Sequence, residues 1–101
     1  MNIIDLFSGA GGLTFGFYYN LQNGQFVRSD NNFIFANEYS VQAATAFSEN
    51  FPDIHMENCD IRQLSREHIE ELIAAALPEN EEVDIIIGGP PCQSFSTVGQ
   101  R

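Results

Sequence analysis

Lysine is absent from this 101-residue chain, and only four arginines offset fourteen aspartates and glutamates, which leaves a formal net charge of −10. Binding to nucleic acid is driven largely by basic groups that replace counterions on phosphates, so this surface by itself repels a duplex. The arginines Arg28, Arg62, Arg66 and Arg101 are dispersed, and the acid-rich run Glu79-Asn80-Glu81-Glu82 reads as a solvated loop. Without lysine the chain also lacks the phosphate-gripping residue of a Walker loop. No charged start leads into an apolar core and no run reaches eighteen apolar residues, which argues against a secretory leader and a membrane helix and for a cytoplasmic location. The two cysteines, Cys59 and Cys92, could pair in principle. A reducing compartment and the role argued for Cys92 below make that the minor option. His55 and His68 lack ligand spacing, so no metal site is indicated.

What is present alternates. Apolar runs predict strands over 2–7, 33–38 and 83–88 and a weak one over 54–58. Helical patterns predict helices over about 11–20, 40–50 and 66–77. Ser40 and Ser65 are candidate helix caps, and Pro52 and Pro78 close the helices behind them. The polar stretch from Asn20 to Asn32 reads as a loop insertion. Strand and helix in alternation imply an α/β fold of one domain, a Rossmann-like doubly wound parallel sheet of about four strands with three helices in three-two-one-four order. The sheet reads as incomplete: Val83 to Ile87 is apolar enough for burial beside further strands, yet it would stand at an edge, which predicts self-association through that strand or poor solubility of the isolated piece.

In open α/β sheets ligands bind outside the carboxyl ends of the strands. The first strand end leads into Ser8-Gly9-Ala10-Gly11-Gly12-Leu13, where glycines let the backbone bend sharply and approach a nucleotide. Glu38 ends the second strand, where a carboxylate can accept from ribose hydroxyls. Asp60 follows the third. After the fourth, Gly88-Gly89-Pro90-Pro91 places Cys92 at the mouth of the cleft, where a nucleophile belongs. Each has a plainer reading: helix packing for the glycines, helix capping or an exposed loop position for Glu38 and Asp60, an inert thiol in a proline-rich turn for Cys92. Phe15, Phe17, Tyr18 and Tyr19 read as packing groups.

These residues carry a resemblance. Asp5-Leu6-Phe7-Ser8-Gly9-Ala10-Gly11-Gly12-Leu13, Asn37-Glu38, Asp60-Ile61 and Gly89-Pro90-Pro91-Cys92-Gln93-Ser94-Phe95-Ser96, in that order, resemble four motifs of the amino-terminal part of the DNA (cytosine-5)-methyltransferase catalytic domain. The resemblance implies S-adenosylmethionine as cofactor. Phe7, Ser8, Gly9, Gly11, Gly12 and Leu13 would line its methionine and ribose side, and Glu38 would hold the ribose hydroxyls. Tyr39 would pack on the adenine, Asp60 would accept from the adenine amino group, and Ile61 would cover the ring's other face. Gly89 and Pro91 would shape the floor, and Cys92 would be the nucleophile. The implied reaction is methylation of cytosine carbon 5 in double-stranded DNA, as in restriction-modification.

Among these 101 residues no Glu-Asn-Val motif, arginine-bearing base motif, target-recognition region or closing helix of the family is found. The expectation is a fragment inactive alone, whose DNA contacts come from the remaining half of the enzyme. The alternative is a catalytically dead cofactor-binding or interaction module. A nicotinamide-dependent oxidoreductase fits less well, because the first turn is not G-x-G-x-x-G and Cys92 stands beside two prolines.

Overall fold

A computed structural model of the chain describes residues 1–90. Strand β1 (Asn2–Leu6) leads through the glycine turn into helix α1 (Gly12–Tyr18), then into a hairpin of β2 (Tyr19–Gln22) and β3 (Gln25–Arg28). Strand β4 (Asn32–Asn37), helix α2 (Val41–Asn50), the two-residue strand β5 (Met56–Glu57), a 3-10 turn (Ile61–Gln63), helix α3 (Arg66–Ala76) and strand β6 (Ile85–Gly88) follow. The order β5-β4-β1-β6, all parallel, is the expected three-two-one-four arrangement.

Each face of this sheet carries its own core. Ile3, Phe33, Ala36, Phe47, Phe51, Ile54 and Ile87 form one, with Phe17, Tyr18 and Tyr19 packed against it. Ile4, Ile34, Phe35 and Leu77 form the other, under Ile69, Leu72 and Ile73 of α3. Strict alternation would put Ile34 and Phe35 on opposite faces. The β1–β4 register shifts between Ile3 and Ile4, so that Ile3 pairs with Phe33 and Ile4 with Phe35. A bulge of this kind adds one residue to β4 and lets both side chains reach the α3 side.

The caps form as read: Ser40 accepts from the Ala43 N–H and Ser65 from the His68 N–H. Between α1 and β4 the expectation needs correction. The helix ends at Tyr18 rather than near residue 20, and the segment read as a loop is a β-hairpin. Its turn is Asn23-Gly24, with φ of 52° and 77°, and two left-handed residues of this type give the strand twist a two-residue hairpin needs. The hairpin is tied down at its base. The Arg28 guanidinium lies 3.9 Å over the Tyr18 ring, and both side chains bond Asp53.

Candidate functional site

The carboxyl ends of β1, β4 and β6 and the segment after β5 surround a cleft of ≈ 400 Å³ lined by Phe7, Gly9, Asn37, Glu38, Tyr39, Ser40, Asp60, Ile61 and Gly89. Its shape comes from the turn after β1. Phe7, Gly9 and Gly11 all have positive φ, at 54°, 58° and 105°. A left-handed phenylalanine persists only where its surroundings hold it, and the Ser8 N–H bond to the Asn37 carbonyl (3.0 Å) is one such restraint.

Glu38 organises the wall opposite. Its Oε1 accepts from the Gly9 N–H and its Oε2 from the Ser40 N–H, each at 2.9 Å, so one carboxylate joins the glycine turn to the start of α2. Two asparagines brace this wall against the next. The buried Asn37 amide donates to the carbonyls of Glu57 and Cys59, both at 2.9 Å, and the Asn58 amide donates to those of Glu38 (2.8 Å) and Tyr39 (3.2 Å). Tyr39 itself is 73 % exposed, an aromatic ring standing free beside the cleft.

Asp60 caps the 3-10 turn, the plainer role allowed for it, and also faces the cleft. The Arg62 backbone N–H and guanidinium bond its carboxylate and hold it well below the usual range, at about 2. Nearby, Glu57 lies between His55 and His68. Partial burial raises its pKa, but the two imidazoles outweigh that and hold it below its ordinary value. Beneath the turn, Asp5 is fully buried, accepts from the Thr14 hydroxyl through Oδ2 and leaves Oδ1 without a partner. Burial pushes its carboxyl up, and the Glu38 charge adds to that against the Thr14 bond.

Seven of the residues named from sequence therefore meet at one cleft: Phe7, Gly9, Glu38, Tyr39, Asp60, Ile61 and Gly89. Ser8 is buried, its hydroxyl donating to the Gly9 carbonyl at 3.3 Å. Gly11 and Gly12 line a separate cavity of ≈ 530 Å³ with Ala10, Phe15, Tyr19, Asn50 and Phe51, and Leu13 stands half exposed on α1. Although larger, that cavity carries no charged group. The strand-end cleft combines two carboxylates with apolar walls, the mixture expected of a site that orients a polar ligand. Pro91 and Cys92 lie outside the described residues. The bracing by Asn37 and Asn58 and the Arg62 contact have no counterpart in the sequence analysis; Gly88, read there as part of a turn, ends β6, and a Cβ on it would come within 2.6 Å of the Leu6 carbonyl oxygen, so only glycine fits beside β1 there. Among the described residues no group of three or more His, Cys, Asp or Glu side chains could hold a metal ion, and no helix is long and apolar enough to cross a membrane.

S-adenosylmethionine fits this donor set. Glu38 keeps lone pairs free beyond its two backbone donors, Tyr39 offers an unburied ring, and no atom lies within 4 Å of a Cβ built at Gly9.

The family model for C-5 cytosine-specific DNA methylases matches residues 1–101. Type II methyltransferase M.AgeI of Thalassovita gelatinovora is 37% identical over 101 residues, covering 100% of this chain and 21% of the relative. Type II methyltransferase M.NgoPII of Neisseria gonorrhoeae is 38% identical over 99 residues, covering 98% and 24%. The chain thus spans between a fifth and a quarter of the length of these curated relatives. Among solved structures, a prophage-encoded protein of E. coli assigned as a DNA modification methyltransferase superposes with a TM-score of 0.70 at 35% identity, covering 94% of this chain and 24% of that one.

Proposed function

The chain belongs to the C-5 cytosine-specific DNA methylase family, and from that membership we propose that the strand-end cleft is the S-adenosylmethionine pocket of a DNA cytosine-5 methyltransferase. The chain is its amino-terminal part and carries the cofactor wall and the nucleophile. The observation that carries this reading is the meeting of Glu38-Tyr39 and Asp60-Ile61 around one cleft with Gly9 and Gly89.

Glu38 accepts from the ribose hydroxyls with the lone pairs its backbone donors leave free. Tyr39 buries its exposed ring on one adenine face, Ile61 covers the other, and Asp60 accepts from the amino group at the ring edge. When bound, the cofactor supplies an electrophilic methyl group on a sulfonium. Carbon 5 of cytosine is too poor a nucleophile to take that methyl unaided. The Cys92 thiolate adds to carbon 6, and the electron pair it brings makes carbon 5 an enamine carbon able to attack; loss of the carbon 5 proton then expels the thiolate and restores the ring. Its ring faces are stacked in the duplex, so the base must be flipped out first.

The DNA groove comes from the rest of the enzyme. All three arginines among the described residues are already paired with carboxylates, Arg28 with Asp53, Arg62 with Asp60 and Arg66 with Glu70. The outer edge of β6, where Ile86 is 60 % exposed, is the place for the remaining half or a second copy to extend the sheet. A strictly monomeric chain in sedimentation at high concentration, with or without that half, contradicts this.

Calorimetric titration of the full chain with S-adenosylmethionine tests the pocket. Hydrogen bonds to charged groups contribute about 1.5–3 kcal/mol, so Glu38→Ala weakens binding by roughly tenfold or more. Tyr39→Ala, at an exposed position whose loss spares the core, weakens it as well. Unchanged affinity in both variants contradicts the assignment. With the remaining half supplied, a duplex carrying 5-fluorocytosine should form a denaturation-resistant adduct that Cys92→Ser abolishes.

A further inference from the structure

The acceptor meant for the adenine edge is already full. Asp60 Oδ1 accepts from the Arg62 backbone N–H (2.9 Å) and from Arg62 Nε (3.1 Å), and Oδ2 accepts from Nη2 (2.6 Å) and Nε (3.2 Å). A carboxylate offers about four lone-pair sites, and a single residue here engages all of them. Outside this contact the Arg62 side chain is 86 % exposed and bonds no other acceptor among the described residues. Asp60 and Tyr39 line the same cleft, so the cation that grips Asp60 stands at the side where the adenine is to stack.

We propose that the Arg62 guanidinium is a resident competitor for the adenine edge of the cleft: it fills the Asp60 acceptor positions a purine amino group needs, and a ligand bearing that group must displace it. The inference rests on the cofactor reading of the cleft. Displacement is feasible because the side chain extends into solvent and can swing away without disturbing the core. The Arg62 backbone N–H keeps its bond to Oδ1, so the 3-10 turn survives the exchange. Arg62 thereby lowers the advantage the site gives to a 6-aminopurine, and it does so without touching the ribose or methionine subsites.

The test is calorimetry of the full chain with S-adenosylhomocysteine and with its analogue lacking the adenine amino group, on wild type, Arg62→Ala and Arg62→Gln. Exposed ion pairs are weak, so both variants bind S-adenosylhomocysteine more tightly by roughly two- to fivefold, and the gap narrows as salt screens the pair in the wild type. The analogue has no amino group to seat and binds wild type and variants alike. A purely structural role for Arg62 would alter both ligands together. If wild type binds S-adenosylhomocysteine but the variants bind it no more tightly, or if the gain appears equally with the analogue, the inference is overturned and the cofactor reading stands. If wild type binds neither ligand, that reading falls and the inference with it.

Discussion

Replacing Gly11 with alanine perturbs the contact between the glycine turn and the aromatic core, and its cost can be worked from the geometry. Two penalties add. Gly11 has a φ of 105°, where an L side chain crowds its own backbone at a cost of about 1–2 kcal/mol. A Cβ there would stand 2.4 Å from Phe51 Cε2 and 3.1 Å from Phe47 Cδ2, against ordinary contacts of 3.4–4 Å. Both rings are buried, Phe51 at 2 % and Phe47 at 0 % exposure, so they can yield only by straining the core, typically another 1–3 kcal/mol. The sum, about 2–5 kcal/mol, is a large share of the roughly 5–15 kcal/mol that holds a domain together. Equilibrium urea unfolding measures it, and two neighbours serve as controls. At Gly12, the first residue of α1, no atom lies within 4 Å of a built Cβ, so Gly12→Ala leaves stability unchanged or raises it by up to about 1 kcal/mol. Gly9→Ala pays only the backbone term, about 1–2 kcal/mol. If Phe51 is the obstacle, Phe51→Leu should recover part of the Gly11→Ala loss. A Gly11→Ala chain within about 0.5 kcal/mol of wild type, or one no worse than Gly9→Ala, refutes the reasoning.

Asp5 gives a pH signature. Its carboxyl is raised above 3.8 in the folded chain, so the folded state holds the proton longer than the unfolded state, and the contribution of Asp5 to stability is fully present below 3.8 and is lost as pH rises through the folded value. The unfolding free energy of wild type minus that of Asp5→Asn should therefore fall from pH 4 towards neutrality in a urea series; a flat difference contradicts the burial argument. Asn37→Ala strands the Cys59 carbonyl, while that of Glu57 keeps the Glu38 and Cys59 N–H donors, and should cost about 1–3 kcal/mol in the same assay, with faster amide exchange at Cys59 and Asp60 as the local sign. A loss below about 0.5 kcal/mol would mean that water replaces the clamp.

The parallel sheet was legible because its strands are apolar runs such as Phe33-Ile34-Phe35-Ala36, and because Ser40 with Pro52 and Ser65 with Pro78 bracket α2 and α3. The hairpin was hidden by its polar amides. Asn20, Gln22, Asn23 and Gln25 make the segment read as loop, although Asn23-Gly24 between Leu21 and Phe26-Val27 is itself a hairpin signal. In the cleft, Glu38 and Asp60 could be picked out because carboxylates at strand ends are few. What holds them could not: the Asn37 and Asn58 amides reach backbone carbonyls about twenty residues away, a contact no periodicity announces. The Arg62 grip on Asp60 depends on a 3-10 turn three residues long, too short for a helical pattern.

The central claim is that the ligand cavity lies at the strand ends rather than under α1, and amide chemical shifts on titrating the isotopically labelled chain with S-adenosylhomocysteine test it most directly. The account predicts saturable shifts concentrated at Gly9, Glu38, Tyr39, Asp60, Ile61 and Gly89. Shifts centred on Ala10, Phe15, Asn50 and Phe51, with Glu38 and Asp60 unmoved, would contradict it.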